Sequence, residues 1–229
     1  AGLATAAGAA VAVGLVNRSR RDAANLAASA GTDFTLALAG VRLRVVGEEH
    51  LWSHRPAIFV FNHQSSLDVL IIGNLLRRDV TGVAKAEAAG DPRFAVFGAL
   101  AGVAYVDRSD TAQAVSALGQ VLQRLREGVS IAIAPEGTRS ATATLGPFKK
   151  GAFHMAMQAG VPIVPVVIRN AGELMWRGSV LVRPGTVDVA VLPPVDTRGW
   201  RREDVDDHVE EIRQQFLATL DHWPWPALG

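Results

Sequence analysis

Three short runs with almost no polar residue punctuate this chain: AIFVF at 57–61, SIAIA at 130–134 and IVPVVI at Ile163–Ile168. Runs of five or six apolar residues are too short for a buried helix, yet they leave no polar face. A strand covered on both sides needs that pattern. Longer stretches with helical spacing lie between them. Residues 66–78 read as a helix with Ser65 or Ser66 at its N-cap and Asp68 in its first turn. Residues 110–127 place Val115, Leu118, Val121, Leu122 and Leu125 on one stripe, and Gly128 can end that helix. Residues 203–222 read as a closing amphipathic helix. Its acids (Glu203, Asp204, Asp206, Asp207, Glu210 and Glu211) form a solvated face. Val80–Lys85 and 103–106 read as further strands, 92–100 and 152–158 as short helices, and 180–195 as two strands around Pro184-Gly185. This alternation predicts an α/β fold: a single domain with a mixed, largely parallel β-sheet surrounded by helices.

No repeat, low-complexity linker or Pro/Gly/Ser-rich break divides the 229 residues, so one domain is the economical reading. The 23 basic and 22 acidic side chains nearly cancel, which excludes a general nucleic-acid footprint. The chain has no cysteine, so disulfides, thiol catalysis and cysteine-ligated metal are excluded. Hydrophobic residues at 49% are many for a soluble domain but too few for a multi-span membrane protein. Residues 1–16 are almost wholly apolar and run into Asn17-Arg18-Ser19-Arg20-Arg21. That is short of the roughly 20 apolar residues a spanning helix needs. The basic cluster also follows the apolar part, the reverse of a secretory signal. The expectation is an N-terminal helical membrane-associating segment over residues 1–40, with its arginines toward anionic headgroups, ahead of a catalytic domain over 41–229. Residues 1–16 themselves read as a helix packed on this domain or set in the membrane interface, and the alternative is an Ala/Gly-rich helix buried in a partner domain. The sequence starts without Met, which fits processing or a longer chain with a fused or associated N-terminal domain.

The chemistry is concentrated at strand ends, where open α/β sheets place ligands. His63 and Asp68 stand in Asn62-His63-Gln64-Ser65-Ser66-Leu67-Asp68, directly after the first apolar run. An imidazole accepts a proton at one nitrogen only when the other carries the hydrogen. A carboxylate bonded to that N–H fixes the tautomer and stabilises the imidazolium. Such a general base contributes about 10²–10⁴-fold. Alone, a His and an Asp five positions apart are a weak signal; a helix-capping Asp beside an unrelated His would look the same. No Gly-x-Ser-x-Gly elbow occurs, so the base activates a substrate hydroxyl directly, without a covalent intermediate.

The block Pro135-Glu136-Gly137-Thr138-Arg139-Ser140 is more specific. Arg139 offers a planar fork suited to two phosphate oxygens. Gly137 lets the backbone approach closely, and the neighbouring amides can form an anion nest. Glu136 can hold Arg139 or His63 in place, or contact the acceptor's hydroxyl; positioning is favoured. Lys85, Arg108 after Asp107, and Lys149 with Lys150 are basic groups at or near strand ends, and by residue usage each reads first as surface charge. The six histidines are scattered along the chain, and no metal site is expected from them.

Four blocks in order resemble the glycerophospholipid acyltransferase family, most closely its 1-acylglycerol-3-phosphate acyltransferases: NHQSSLD at Asn62–Asp68, GVAYVDR at Gly102–Arg108, APEGTRS at Ala134–Ser140 and VPIVPV at Val161–Val166. The segments around Lys85 and PFKKGAF at Pro147–Phe153 also look family-like. The resemblance covers roughly residues 58–168. One departure is Ala134, where family members often carry a bulkier residue; it bears on pocket shape. The resemblance implies acyl transfer from acyl-CoA or acyl carrier protein, as co-substrate and without a cofactor or metal, to the hydroxyl of a lysophospholipid such as lysophosphatidate. It implies that His63 is the base and Asp68 its partner. It implies that Glu136, Gly137, Thr138 and Arg139, with Arg108 and Lys85, surround the acceptor's phosphate, with Asn62 and Lys149 as further candidates. It also implies a membrane location, at the cytoplasmic face of the plasma membrane. Trp176, Trp200, Trp223 and Trp225 can serve as interfacial anchors or as ordinary packing. The rival readings are another lysolipid or glycolipid acceptor, a thioesterase or lipid hydrolase, and a non-catalytic lipid-binding module.

Overall fold

A computed structural model describes residues 20–85, 103–106, 111–140 and 144–224. In chain order the elements are α1 (Arg20–Leu38), β1 (Val41–Val46), α2 (His50–Ser53), β2 (Ile58–Phe61), α3 (Leu67–Leu76), β3 (Val80–Lys85), β4 (Ala104–Val106), α4 (Thr111–Arg126), β5 (Ser130–Ile133), α5 (Gly151–Ala159), β6 (Ile163–Ile168), α6 (Ala171–Leu174), β7 (Gly185–Val191) and α7 (Val205–Asp221). The strands form one sheet in the order β1-β7-β6-β2-β5-β3-β4. Every pairing is parallel except β6 with β7, so the sheet is mixed and largely parallel, as the apolar runs predict.

The central strands show why those runs lack a polar face. On β2, Phe59 and Phe61 enter one core, with Val164, Val166 and Ile168 of β6 and with α1, α3 and α6. Ile58 and Val60 point the other way, joining Ile131 and Ile133 of β5 beneath α4, α5 and α7. All four residues of β2 are buried, so period-two alternation sorts apolar residues between two apolar faces. On α7, Val205, Val209, Ile212 and Phe216 are buried while Asp206, Asp207, Glu210 and Glu211 are exposed, the solvated acidic face expected.

Besides two one-turn helices that the sequence reading did not include, α2 and α6, the structure departs from it in two strands. Residues 180–195 yield one strand, Gly185–Val191, not two; 180–184 form an exposed loop. Edge strand β1 was not anticipated, and its Arg44 forms a bidentate pair with Asp188 of β7 at 2.7 Å on both arms. Ahead of it, α1 lies along the domain: Arg21 donates to Asp79 at 2.6 Å and to the carbonyls of Glu127 and Gly128, and Asp33 takes bonds from Asn74 and Arg77. Arg21 is thus committed within the domain. Among the described residues no helix is long and apolar enough to cross a membrane. Residues 1–16, the helix expected at 92–100, Arg108 and Trp225 lie outside the described residues.

Candidate active site

The ends of β2, β5 and β6 meet where the parallel strands finish, and the loops after them interlock. Asn62, buried at the end of β2, behaves like one more strand residue: its Nδ2 donates to the Ile168 carbonyl and its Oδ1 accepts the Ile168 N–H, both at 2.7 Å. This clasp to the end of β6 sets where His63 begins. The His63 N–H then donates to Glu136 Oε1 at 2.8 Å, and the His63 carbonyl accepts from Ser140 N–H at 2.7 Å. Both backbone groups of His63 are therefore held by the loop after β5.

His63 and Asp68 do come together. Nδ1 of the imidazole lies 2.9 Å from Asp68 Oδ2, with the ring partly exposed and the carboxylate wholly buried. The same Oδ2 accepts the N–H groups of Gln64 and Ser65 at 2.7 Å each. Asp68 thus reaches back over the start of α3, much as the acid of a capping box does, and uses that geometry to receive the imidazole. An acceptor on the Nδ1 side assigns the hydrogen to Nδ1 and leaves Nε2 with its lone pair free for a substrate proton. Ser66 occupies the N-cap position of α3 without a side-chain cap bond, while Ser65 Oγ accepts the Leu67 N–H at 3.2 Å and donates to the Met175 carbonyl.

Arg139 donates from Nη1 to Ser66 Oγ at 2.7 Å, so the second block leans on the His63 loop from above. Its other N–H groups meet no acceptor among the described residues. Gly137, at φ +74°, makes the turn that a Cβ would oppose, and Thr138 is exposed beside it. Lys149 is exposed, its backbone N–H bonded to the Pro135 carbonyl, which puts it on the segment next to this turn. Lys85 ends β3 opposite Val106, at the same end of the sheet.

Glu136 resolves toward positioning. Oε1 accepts His63 N–H and Oε2 accepts Gly146 N–H at 3.0 Å, so both oxygens are taken and the charge has the wrong sign for a phosphate. Burial raises its carboxyl above the ordinary glutamate range, opposed by those two amide bonds and the nearby His63. A raised carboxyl pKa means the folded chain holds this proton more tightly than the unfolded one. Its contribution to stability is full below the usual glutamate range and is lost as pH rises through the raised value. For E136Q we expect that pH-dependent part to vanish from urea-unfolding free energies, while one amide loses its acceptor and kcat falls about 10–100-fold as His63 shifts. An unchanged slope with pH would show that Glu136 is not the titrating group.

Gly146, Ser66 and Ser140 were missed as site residues. Ser66 and Ser140 act through partners more than seventy positions away, Arg139 and the His63 carbonyl, and Gly146 through a backbone amide that any residue type carries, so no local spacing announces them. Trp200 stacks on His208 at 4.1 Å and Trp223 lies under Arg169, so both are packing residues, whereas Trp176 is exposed.

A family model described as acyltransferase matches residues 42–169, more than half the chain. A 1-acyl-sn-glycerol-3-phosphate acyltransferase of Saccharomyces cerevisiae is 36% identical over 184 residues, 79% of this chain and 60% of that protein. The corresponding alpha protein of Ovis aries is 38% identical and is matched over 64% of its length; this chain thus spans less than two thirds of both relatives. In Mus musculus the alpha protein is 38% identical, with 84% of this chain and 68% of the relative covered. The crystal structure of the 1-acyl-sn-glycerophosphate (LPA) acyltransferase PlsC from Thermotoga maritima superposes with a TM-score of 0.77 at 26% identity, covering 96% of this chain and 89% of that one. The motif order, the sheet and these matches agree, and the chain belongs to the acyltransferase family.

Proposed function

We propose that the protein transfers an acyl group from a thioester, acyl-CoA or acyl carrier protein, to the free hydroxyl of lysophosphatidate, giving phosphatidate. The observation that carries this reading is the His63–Asp68 pair beneath an arginine whose donors are only partly used. Nε2 of His63 takes the hydroxyl proton as the oxygen attacks the thioester carbonyl. The C–S bond breaks, and the imidazolium returns the proton to the leaving thiolate. Arg139, with the start of α3 beside it, receives the acceptor's phosphate through charge-assisted bonds, so that the hydroxyl is presented to the base. The relatives named for this reaction support lysophosphatidate as the acceptor.

The test is incubation with a long-chain acyl-CoA and lysophosphatidate, tracking free thiol and lipid product together. Equal amounts of phosphatidate and thiol are expected. Thiol without phosphatidate would replace the transferase with a hydrolase. Arg139→Ala is expected to raise the KM for lysophosphatidate about 10- to 100-fold and to leave that for the thioester nearly unchanged. Equal effects on both would remove Arg139 from the acceptor's phosphate.

A further inference from the structure

Among the described residues most large apolar side chains are inside, yet four that are well exposed gather at one end. Leu38 is 77% exposed, Trp176 67%, Val180 72% and Leu181 77%. Scattered apolar residues on a surface are ordinary; a contiguous group is not. Leu38 ends α1, with Phe34 one turn before it and also exposed. The other three sit on the loop between α6 and β7.

The two segments are clasped together. Gly185 N–H donates to the Gly40 carbonyl at 3.0 Å, and a Cβ at Gly40 would fall 2.9 Å from Pro184 Cβ. The loop is closed at its neck by Arg183 N–H on the Leu174 carbonyl at 2.8 Å. Its tip is turned by Ser179, whose N–H reaches the Trp176 carbonyl and whose Oγ bonds both backbone groups of Leu181. The apolar side chains are therefore held outward by a built loop. That loop is also joined to the catalytic turn: Ser65 Oγ donates to the Met175 carbonyl at 2.7 Å, and Gln64 lies against Gly172.

Charge selects among the surfaces that could cover this patch. From Met175 to Pro184 the loop carries Arg177 and Arg183 and no acid, and both arginines are exposed without an ion-pair partner among the described residues. Exposed Trp and Leu flanked by arginine suit the interface of a bilayer bearing anionic phospholipid.

We propose that the loop Met175–Pro184, with the end of α1, is the surface on which this protein docks to anionic membrane. The apolar tip enters the headgroup boundary and the two arginines meet lipid phosphates. Because the loop's neck is bonded to the His63 turn, docking there sets the active site at the membrane surface, where a lipid acceptor can reach the base without leaving the bilayer. This deepens the acyl-transfer reading, since it rests on the acceptor being a lipid.

The chain has no cysteine, so one introduced thiol labels a single place. The full protein carrying Leu181→Cys, labelled with a polarity-sensitive nitrobenzoxadiazole probe, is mixed with vesicles of phosphatidylglycerol and phosphatidylcholine without substrate. Gln120→Cys, exposed on α4 over the opposite face of the sheet, is the control. A blue shift and quenching by nitroxide-bearing lipid are expected at 181 and absent at 120. Arg177→Gln with Arg183→Gln is expected to weaken the vesicle response about tenfold. A label at 181 that stays in water while the protein sediments with vesicles would overturn the proposal. So would a blue shift that follows protein concentration without vesicles, the mark of a second copy on this face. Failed insertion with normal phosphatidate synthesis would remove the docking surface alone. Normal insertion without acyl transfer would remove the catalytic reading alone.

Discussion

Replacing His63 with alanine is expected to lower kcat/KM about 10³-fold or more while leaving the fold nearly as stable as wild type. The size follows from the role. A general base acts on a proton that moves only in the transition state, so its removal falls on kcat and spares the binding of both substrates. The fold survives because the loop is not held by the imidazole. The backbone N–H still donates to Glu136, the carbonyl still accepts from Ser140, and Asn62 still bridges to Ile168. What disappears is the bond to Asp68 and an edge contact with Phe61, ring centroids 5.9 Å apart, a cost of about 1 kcal/mol. Steady-state acyl transfer beside a urea-unfolding curve separates the two effects. Activity within tenfold of wild type would remove His63 as the base. A comparable loss of activity and stability would make the residue structural.

The parts of this site that the sequence announces are those whose cause is local. Residues 57–61 and 130–134 mark buried strands because their apolar positions face one core or the other. His63 and Asp68 are five positions apart in one turn, so their meeting depends on a single loop and the first turn of α3. The parts it hides have partners far away. Asn62 is bound to Ile168 across 106 positions, and Glu136 and Arg139 reach His63 and Ser66 across 73. No periodicity within a window of fifteen or so residues carries such a pairing. Edge strand β1 is different: VRLRVV alternates arginine with apolar residues, a local period-two signal of a half-buried strand, and only the pairing of Arg44 with Asp188 opposite it lies beyond the sequence window. The loop 180–184 illustrates the converse. Val180 and Leu181 look like strand residues, but with no neighbouring strand to receive them they remain outside.

Asp68 provides the second large effect, and two substitutions divide it. Its Oδ2 accepts three N–H groups at once, from the imidazole and from Gln64 and Ser65, while Oδ1 is buried without a partner among the described residues. Asparagine can put its oxygen where Oδ2 stands and keep the two amides satisfied. It brings no charge to the imidazolium, and its NH₂ takes the place of Oδ1, where nothing accepts. Turned round, its NH₂ would face Nδ1 and force the hydrogen onto Nε2, the atom that must take the proton. Either orientation is expected to cost about 10³–10⁴-fold in kcat with a modest change in stability. Alanine removes the acceptor altogether and strands two amides, that of Ser65 fully buried. D68A is therefore expected to lose a similar amount of activity and a further 2 kcal/mol or so of stability, roughly 4–8 °C in Tm for a chain of this size. If D68N keeps activity within tenfold of wild type, the carboxylate does not orient the base. If D68A melts no lower than D68N, the two amides do not depend on this side chain, and the start of α3 is held by Ser65 Oγ on the Leu67 N–H instead.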